Sequence, residues 1–372
     1  MEQIKKSVLI SGASFAGLTT AYWMIRLGYK VTIVEIGPSL KKGGTPVDIK
    51  DNTIEIVKRM GLFEQIKSRR VGPEKWEFKN AADQTGYELI LKDPQRGFSD
   101  EEFEIERDDL LDMIYKLAKN DVEFIFNNSI IAMEENADCI KVNFKDGSSA
   151  LFSFVFGCDG IHSVVRRIWF GHEVEYSHFL GQYFSIAVID KLLVENGTYQ
   201  MYAEPNKGAA LYAHNNKTDL IFTFRPEGEI KYDFRDQQQL KDIVSTQMKG
   251  MGWRTAELEN ELLQSSSFYF DKFCQIKMPS WTKGRVALIG DAGYCASPAA
   301  GMGGSLAIIG ATALCDAFAL NNEDYQTAFY TYQNGLRPFV DEIQETAIQT
   351  LNKLLPYNEQ EALEMWKHGI SF

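Results

Sequence analysis

The chain has 372 residues, 45% of them hydrophobic and 12% aromatic, enough for two domains that each bury a core. Its formal net charge is −12 with no long basic run, so neither nucleic-acid phosphates nor an anionic membrane surface is an expected partner. Five scattered cysteines (Cys139, Cys158, Cys274, Cys295, Cys315) include no CxxC pair, which argues for reduced thiols in a cytoplasmic protein and against a metal site or a disulfide framework.

The N-terminal pattern reads strand, turn, helix, strand. Val8 to Ser11 is apolar, Gly12-Ala13-Ser14-Phe15-Ala16-Gly17 makes the turn, and Phe15 to Leu27 is a helix closed by Gly28. Val31 to Glu35 is the second strand. Gly12, Ser14 and Gly17 occupy the three glycine positions of GxGxxG, with Phe15 and Ala16 between the second and third. That turn lets a dinucleotide pyrophosphate sit on a helix N-terminus, and Glu35 is placed for a ribose hydroxyl. Serine at the middle position departs from the pattern but is small.

A short helix follows from Asn52 to Met60, capped by Asp51 or Asn52 and ended by Gly61. Trp76 to Leu91 alternates as strands do, and Arg107 to Lys119 has helical spacing. Val122 to Phe126, Ile130 to Met133, Ile140 to Phe144 and Ala150 to Phe156 read as hairpin-like strands around the Lys145-Asp146-Gly147 turn. Between Phe179 and Phe273 the texture changes. Tyr183 to Ile189, Gly197 to Ala203, Ala209 to His214 and Leu220 to Arg225 predict an antiparallel sheet, with one helix from Gln237 to Trp253 across it.

The nucleotide fold resumes near Gln275. Val286 to Ile289 is an apolar strand that runs into Gly290-Asp291-Ala292, then Pro298 and Gly301-Met302-Gly303-Gly304. Gly303 to Leu320 is almost uncharged and long enough to span a membrane, but its three glycines, Asp316 and position after a cofactor-type loop predict a buried helix. The tail from Asp324 to His368 is helical, with Pro338 and Pro356 marking bends or breaks. There is no second GxGxxG, no Walker, HExxH or Ser-His-Asp pattern, and no TrpxTrpxIlePro signature of flavin halogenases.

On these segments the chain resembles the single-component FAD-dependent aromatic hydroxylases, the class A flavoprotein monooxygenases. Three ordered motifs carry the resemblance: Gly12 to Gly17; Cys158-Asp159-Gly160-Ile161-His162-Ser163-Val164-Val165-Arg166; and Gly290-Asp291 with Pro298 and Gly301-Met302-Gly303. Lys42-Gly43-Gly44 before Val47-Asp48-Ile49, Arg107 before Leu110, and Ser280 to Arg285 are similar to the tetracycline-inactivating members.

The resemblance implies an α/β fold. A Rossmann-like FAD-binding domain of the p-hydroxybenzoate hydroxylase type would carry an inserted antiparallel β-sheet substrate domain and a C-terminal helix. The expected boundaries are 1–72, 98–176 and 273–337 for the FAD domain, 73–97 and 177–272 for the substrate domain, and 338–372 for the C-terminal segment. FAD would be held by Gly12, Ser14, Phe15, Ala16, Gly17, Glu35, Asp48, Arg107, Asp159, Gly160, Gly290, Asp291, Pro298, Gly301, Met302 and Gly303. Lys41 and Lys42 are the candidates for transient contact with NAD(P)H. Tyr183, Met201, Tyr212, Phe222, Phe224 and Pro298 are the candidates for packing on a flat substrate.

The implied reaction consumes NAD(P)H and O₂ and hydroxylates an electron-rich aromatic or enol through a C4a-hydroperoxyflavin, with tetracycline, other polyketides and phenols as substrates to try. The chemistry belongs to the flavin, so no side-chain triad is expected. A monomer is expected, because no coiled-coil heptad or symmetric motif calls for assembly. Where relatives carry GQG and then Asn, this chain has Gly301-Met302-Gly303 and Ser305, and Tyr294 replaces a common His. These departures keep open an oxidase or reductase of the same fold without oxygen insertion, and a non-catalytic flavin binder.

Overall fold

The computed structural model describes residues 6–92, 102–321 and 324–370. The expected boundary between residues 97 and 98 lies outside them. A six-stranded sheet is ordered Thr282–Lys283, Val286–Leu288, Phe154–Gly157, Ser7–Ser11, Lys30–Val34, Val122–Ile125. Its strands run parallel except for the two-residue edge strand Thr282–Lys283. Val8, Leu9 and Ile10 are completely buried, as a parallel strand covered on both faces requires. Phe15–Arg26 packs against Gly303–Leu320, which packs in turn against the long helix Tyr325–Leu354.

A seven-stranded sheet forms the second layer system, ordered Ser267–Ile276, Ser177–Ile189, Lys217–Phe224, Lys207–His214, Thr198–Glu204, Lys75–Lys79, Thr85–Ile90. It is antiparallel except where Thr198–Glu204 runs parallel to Lys75–Lys79. Helices Gln237–Met248 and Thr255–Gln264 bury Leu240, Val244, Leu258 and Leu262 in one core with its Tyr183, Leu220, Phe222 and Phe224. A three-stranded sheet, Val47–Lys50, Glu102–Ile105 and Arg70–Val71, and a meander of Ile130–Glu135, Ile140–Phe144 and Ser149–Phe152 complete the strands.

Several local expectations change. Ala150 to Phe156 is two strands rather than one, divided at Ser153, whose N–H donates to the Ser7 carbonyl (2.9 Å). Ser149–Phe152 is half exposed and closes the meander, whereas Phe154–Gly157 is buried throughout and joins the parallel sheet. Val122–Ile125 likewise pairs in parallel with Lys30–Val34 and is no hairpin arm. The helix expected from Gln237 to Trp253 stops at Met248, ahead of Gly250 at φ +79°, and a second helix follows at Thr255.

The strand Ser267–Ile276 carries no clean alternation in sequence and was not expected. The boundary expected at residue 273 falls inside it. Pro338 does not break its helix. Tyr325–Leu354 runs on, its packed face (Leu336, Val340, Gln344, Ala347) outweighing the one lost backbone bond. Pro356 does follow a helix end. Gly303–Leu320 is long and apolar enough to cross a membrane, yet 67% of it is buried inside the protein, and on its exposed side Asp316 forms a bidentate pair with Arg59 (2.7 and 2.8 Å).

Candidate functional site

The glycine turn is required by contact as well as by conformation. A Cβ on Gly12, at φ +100°, would stand 2.5 Å from the Cys158 carbonyl oxygen, and one on Gly17 would stand 2.0 Å from the Gly12 oxygen. The carboxylate of Glu35 accepts from Ala13 N–H (2.8 Å) and Gly37 N–H (2.9 Å), so it lines the turn. Ser14 occupies the N-cap of Phe15–Arg26 without making a side-chain cap bond. The first-turn N–H groups therefore receive no cap from its side chain.

Arg107 closes this end. Its guanidinium donates to the carbonyls of Lys41 (2.9 Å) and Gly43 (3.1 Å) and to Ser14 Oγ (3.3 Å), and lies 5.3 Å over the Phe15 ring. Burial lowers its pKa, with Asp108 opposing. An uncapped helix N-terminus beside a half-buried guanidinium concentrates positive potential, and a dianionic pyrophosphate is the group that fits there. Lys42 instead pairs with Asp112 (2.9 Å) on the outer surface, and the Lys41 ammonium lies 5.6 Å over the ring of Tyr269. The two expected NAD(P)H lysines therefore point to different partners.

The other two motifs meet the first. A Cβ on Gly290, at φ +65°, would touch Ala16 and Ala307, each at 3.4 Å, so Gly290 and Asp291 sit between the starts of two helices. The carboxyl of Asp291 lies deep in the fold yet keeps some accessible surface. Burial pushes its pKa up, and a hydrogen bond with Cys295 opposes the rise. Asp159 receives bonds from Ser11 Oγ (3.2 Å), Ser163 Oγ (2.5 Å), Val164 N–H (2.9 Å) and Val165 N–H (3.1 Å). It caps Val164–Trp169 and pins that loop to the glycine turn, while Gly160, at φ +76°, faces open space.

Completely buried Arg166 donates to the Ala292 carbonyl (2.8 Å) and so ties the second motif to the third. His162 stands between Glu173 (3.1 Å) and Asp271 (3.6 Å). Burial would lower its pKa, but those two carboxylates outweigh it and lift the imidazole to about 9.

The loop from Ser297 to Gly303 carries the strongest backbone signal. Ser297 has φ +88° and ψ 145°, a region otherwise left to glycine, and Gly301 is left-handed at φ +64°. Pro298, Gly301 and Gly303 are exposed, whereas Met302 is 4% exposed and anchors the helix start. Asp48 comes to this loop, its Oδ2 3.2 Å from where a Gly301 Cβ would stand, and Ser305 Oγ donates to the Asp48 carbonyl. Ser305 is thus a strut between loop and strand. Tyr294 stands away from the loop: it is fully buried, its hydroxyl 3.0 Å from that of Tyr332, in a space only Gly310 leaves open.

The five sheet residues expected to pack on a substrate are divided between the two faces of the large sheet. Tyr183, Phe222 and Phe224 point to the helix-covered side of the large sheet, and Tyr183 is stacked between Phe224 (5.4 Å) and Phe270 (5.7 Å) with its hydroxyl bonded to Ile230. Met201 and Tyr212 are on the opposite face. Met201 is buried with Phe78 and lines a cavity of about 340 Å³ against the last helix, away from the motifs.

The side chains that share this second face near the motifs are Phe184, Tyr269, Asp271 and Phe273, which the sequence reading missed. Tyr269 is 41% exposed and donates to Asp271 (2.9 Å). Burial, then Asp271, then Asp291 push its hydroxyl pKa up, which puts this strand within electrostatic reach of the third motif. The signal that would have found Tyr269 is parity with Asp271 and Phe273 along one strand. Among the described residues no group of three His, Cys, Asp or Glu side chains is arranged to hold a metal ion.

The family described as FAD binding domain matches residues 5–347. A flavin-dependent monooxygenase of Legionella longbeachae is 35% identical, over 95% of this chain and 90% of its own length. An uncharacterised protein of Mycobacterium tuberculosis is 33% identical over 98% of the chain and 99% of its own length. Among solved structures, the tetracycline destructase Tet(51) is 31% identical with a TM-score of 0.84, covering 98% of this chain and 97% of that one. Tet(55), also a tetracycline destructase, is 28% identical with a TM-score of 0.86, covering 100% and 99%. With the glycine turn, the Asp159 loop and the Gly290-Asp291 segment gathered at one place, the chain belongs to the FAD binding domain family, among its flavin-dependent monooxygenases.

Proposed function

We propose that this monooxygenase inserts one oxygen atom into a flat, electron-rich aromatic or enolic small molecule of the tetracycline or polyketide type. The observation that carries the proposal is the meeting of three motifs opposite a sheet face bearing Phe184, Tyr269 and Phe273. Similarity to Tet(51) and Tet(55), both named as tetracycline destructases, supports tetracycline as the first substrate to try.

FAD, once bound, supplies electron transfer and oxygen activation. Gly12 to Gly17 and Arg107 would receive its pyrophosphate, Glu35 a ribose hydroxyl, and Asp291 the hydroxyls of its linking chain. Asp48, Pro298 and Gly301 to Gly303 would border its ring. The aromatic face of the sheet would orient the substrate and keep water out. NAD(P)H would visit from solvent, since the sequence holds a single glycine-rich nucleotide turn. Lys41, drawn toward Tyr269 at the cleft, is better placed to meet it than Lys42.

The deciding measurement is mass spectrometry of tetracycline after incubation with enzyme, FAD, NADPH and air. A product heavier by one oxygen is expected. NADPH consumption with matching peroxide and no oxygenated product, across tetracyclines, other polyketides and phenols, would show an oxidase instead.

A further inference from the structure

The strand Ser267–Ile276 carries one hydroxyl whose polarity is fixed by its neighbours. Tyr269 lies deep in the fold, yet 41% of its surface is open, so it lines a crevice rather than the outer surface. Contacts identify both walls of that crevice. From the side of the glycine turn, the Lys41 ammonium lies 5.6 Å over the Tyr269 ring, and a Cβ on Gly43 would stand 3.3 Å from Ser267 Oγ. From the sheet, the Phe184 ring is 5.7 Å away, and Phe184 and Phe273 pack with Ala299 of the Pro298–Ala300 turn. Tyr269 is thus one ring removed from the strained Ser297 loop.

The single hydroxyl proton of Tyr269 is already engaged. It is donated to Oδ2 of buried Asp271 (2.9 Å). Other donors surround that carboxyl: the Tyr232 hydroxyl (2.6 Å) and the Lys272 N–H (2.8 Å) meet Oδ1, and His162 Nε2 stands 3.6 Å from Oδ2. Burial opposes ionisation of Asp271, but the bonds from His162 and Tyr232 outweigh it and hold its pKa below the ordinary carboxylate range. Glu104 on the small sheet is the opposite case, where burial and then Asp48, its cross-strand neighbour, lift the carboxyl to about 7 with His214 opposing. A phenol that donates to a fixed anion keeps its lone pairs but has no proton for anything else. Among the described residues no donor reaches the Tyr269 oxygen, so the protein leaves that acceptor unfilled.

We propose that Tyr269 selects the substrate by accepting a hydrogen bond from it, so that the edge of the ligand turned to this strand must carry an O–H or N–H donor. A ring hydroxyl, an enol or a carboxamide meets the requirement. A methoxy group, a bare carbonyl or an ionised phenolate does not, because each needs the proton that Tyr269 has given to Asp271. Turning that proton outward would take a bond from a buried carboxylate, which costs more than a hydrogen bond in the crevice returns. Tyr269 takes part in no bond change; it fixes which edge of a flat molecule lies against the strand. The inference rests on the reading of this crevice as the substrate side and adds to it the polarity of the contact.

Calorimetric titration of the FAD-loaded protein at neutral pH with two probes, 2-naphthol and 2-methoxynaphthalene, tests it. Tyr269→Phe keeps the ring beneath Lys41, and Tyr232, the Lys272 N–H and His162 still satisfy Asp271, so the fold is retained. The substitution should lower the ratio of naphthol to ether affinity about five-fold, through weaker binding of the naphthol, with the ether little changed. A ratio that Tyr269→Phe leaves unchanged, or no binding of 2-naphthol to the unmutated protein, overturns the proposal. The readout is binding alone, so its failure is separable from that of the proposed function. Protein that shows the expected ratio yet yields only peroxide would sink the oxygen-insertion reading and leave this one standing.

Discussion

Arg107 shows how much one side chain at a helix start can organise. It bonds the Lys41–Gly43 loop, Ser14 and the Phe15 ring at once, and a truncation leaves two carbonyls and the helix end without their cation. Arg107→Ala should weaken FAD binding by about 1.5–3 kcal/mol, ten-fold or more, read from flavin fluorescence in a titration. Glu104 gives the pH prediction. Its folded pKa of about 7 lies above the unfolded value near 4.3, so the native state binds a proton that the unfolded chain has already released. That acid therefore lowers stability as pH rises from about 4 to about 7, and the loss persists above. Glu104→Gln should stabilise the protein by up to ~3 kcal/mol at pH 8 and hardly at all at pH 4, measured by urea unfolding at both.

At the scale of elements, parity alone divides the large sheet into a helix-covered face and an opposite one. Phe222 is fully buried against the helix-covered side, so Phe222→Ala should cost about 3–5 kcal/mol in urea unfolding while FAD affinity, titrated on the folded variant, stays the same. Sequence alternation identified most strands of this sheet but could not say which phase faces the helices. A slip of one residue reverses every side chain, and only the helices Gln237–Met248 and Thr255–Gln264 decide the matter. The glycine turn was readable because its residues are dictated by contacts within a few positions and by one strand neighbour. Tyr269 was not, since its strand Ser267–Ile276 places a buried Asp271 and a half-buried Lys272 where alternation predicts otherwise. Arg166, quoted in the second motif, revealed its grip on Ala292 only through a contact across the molecule.

In the whole molecule the two large sheets are sewn together rather than strung like two beads. Ser267–Ile276 edges the large sheet and leads straight on to the Gly290-Asp291 segment, and Gln344 of the long helix donates to both Ile276 (3.0 Å) and Cys295 (3.1 Å). Gln275 in turn donates to Ala296 (3.1 Å) and Gln344 (2.6 Å). The expected limit at residue 273 falls inside that continuous strand, where no change of composition marks an end. Calorimetry should accordingly give one transition for both parts, and FAD at a hundred times its Kd should stabilise that single transition by about 2.7 kcal/mol. Two separate peaks, only one of them moved by FAD, would count against a continuous scaffold.

The pair of glutamines has an implication for how the enzyme is loaded. Because the same amide groups grip the sheet edge, the Cys295–Ala296 segment that leads into the strained Ser297 loop, and the last long helix, displacement of any one of the three is felt by the others. Under the proposed function, a substrate on the Phe184 side would press on the segment leading into that loop before any chemistry begins.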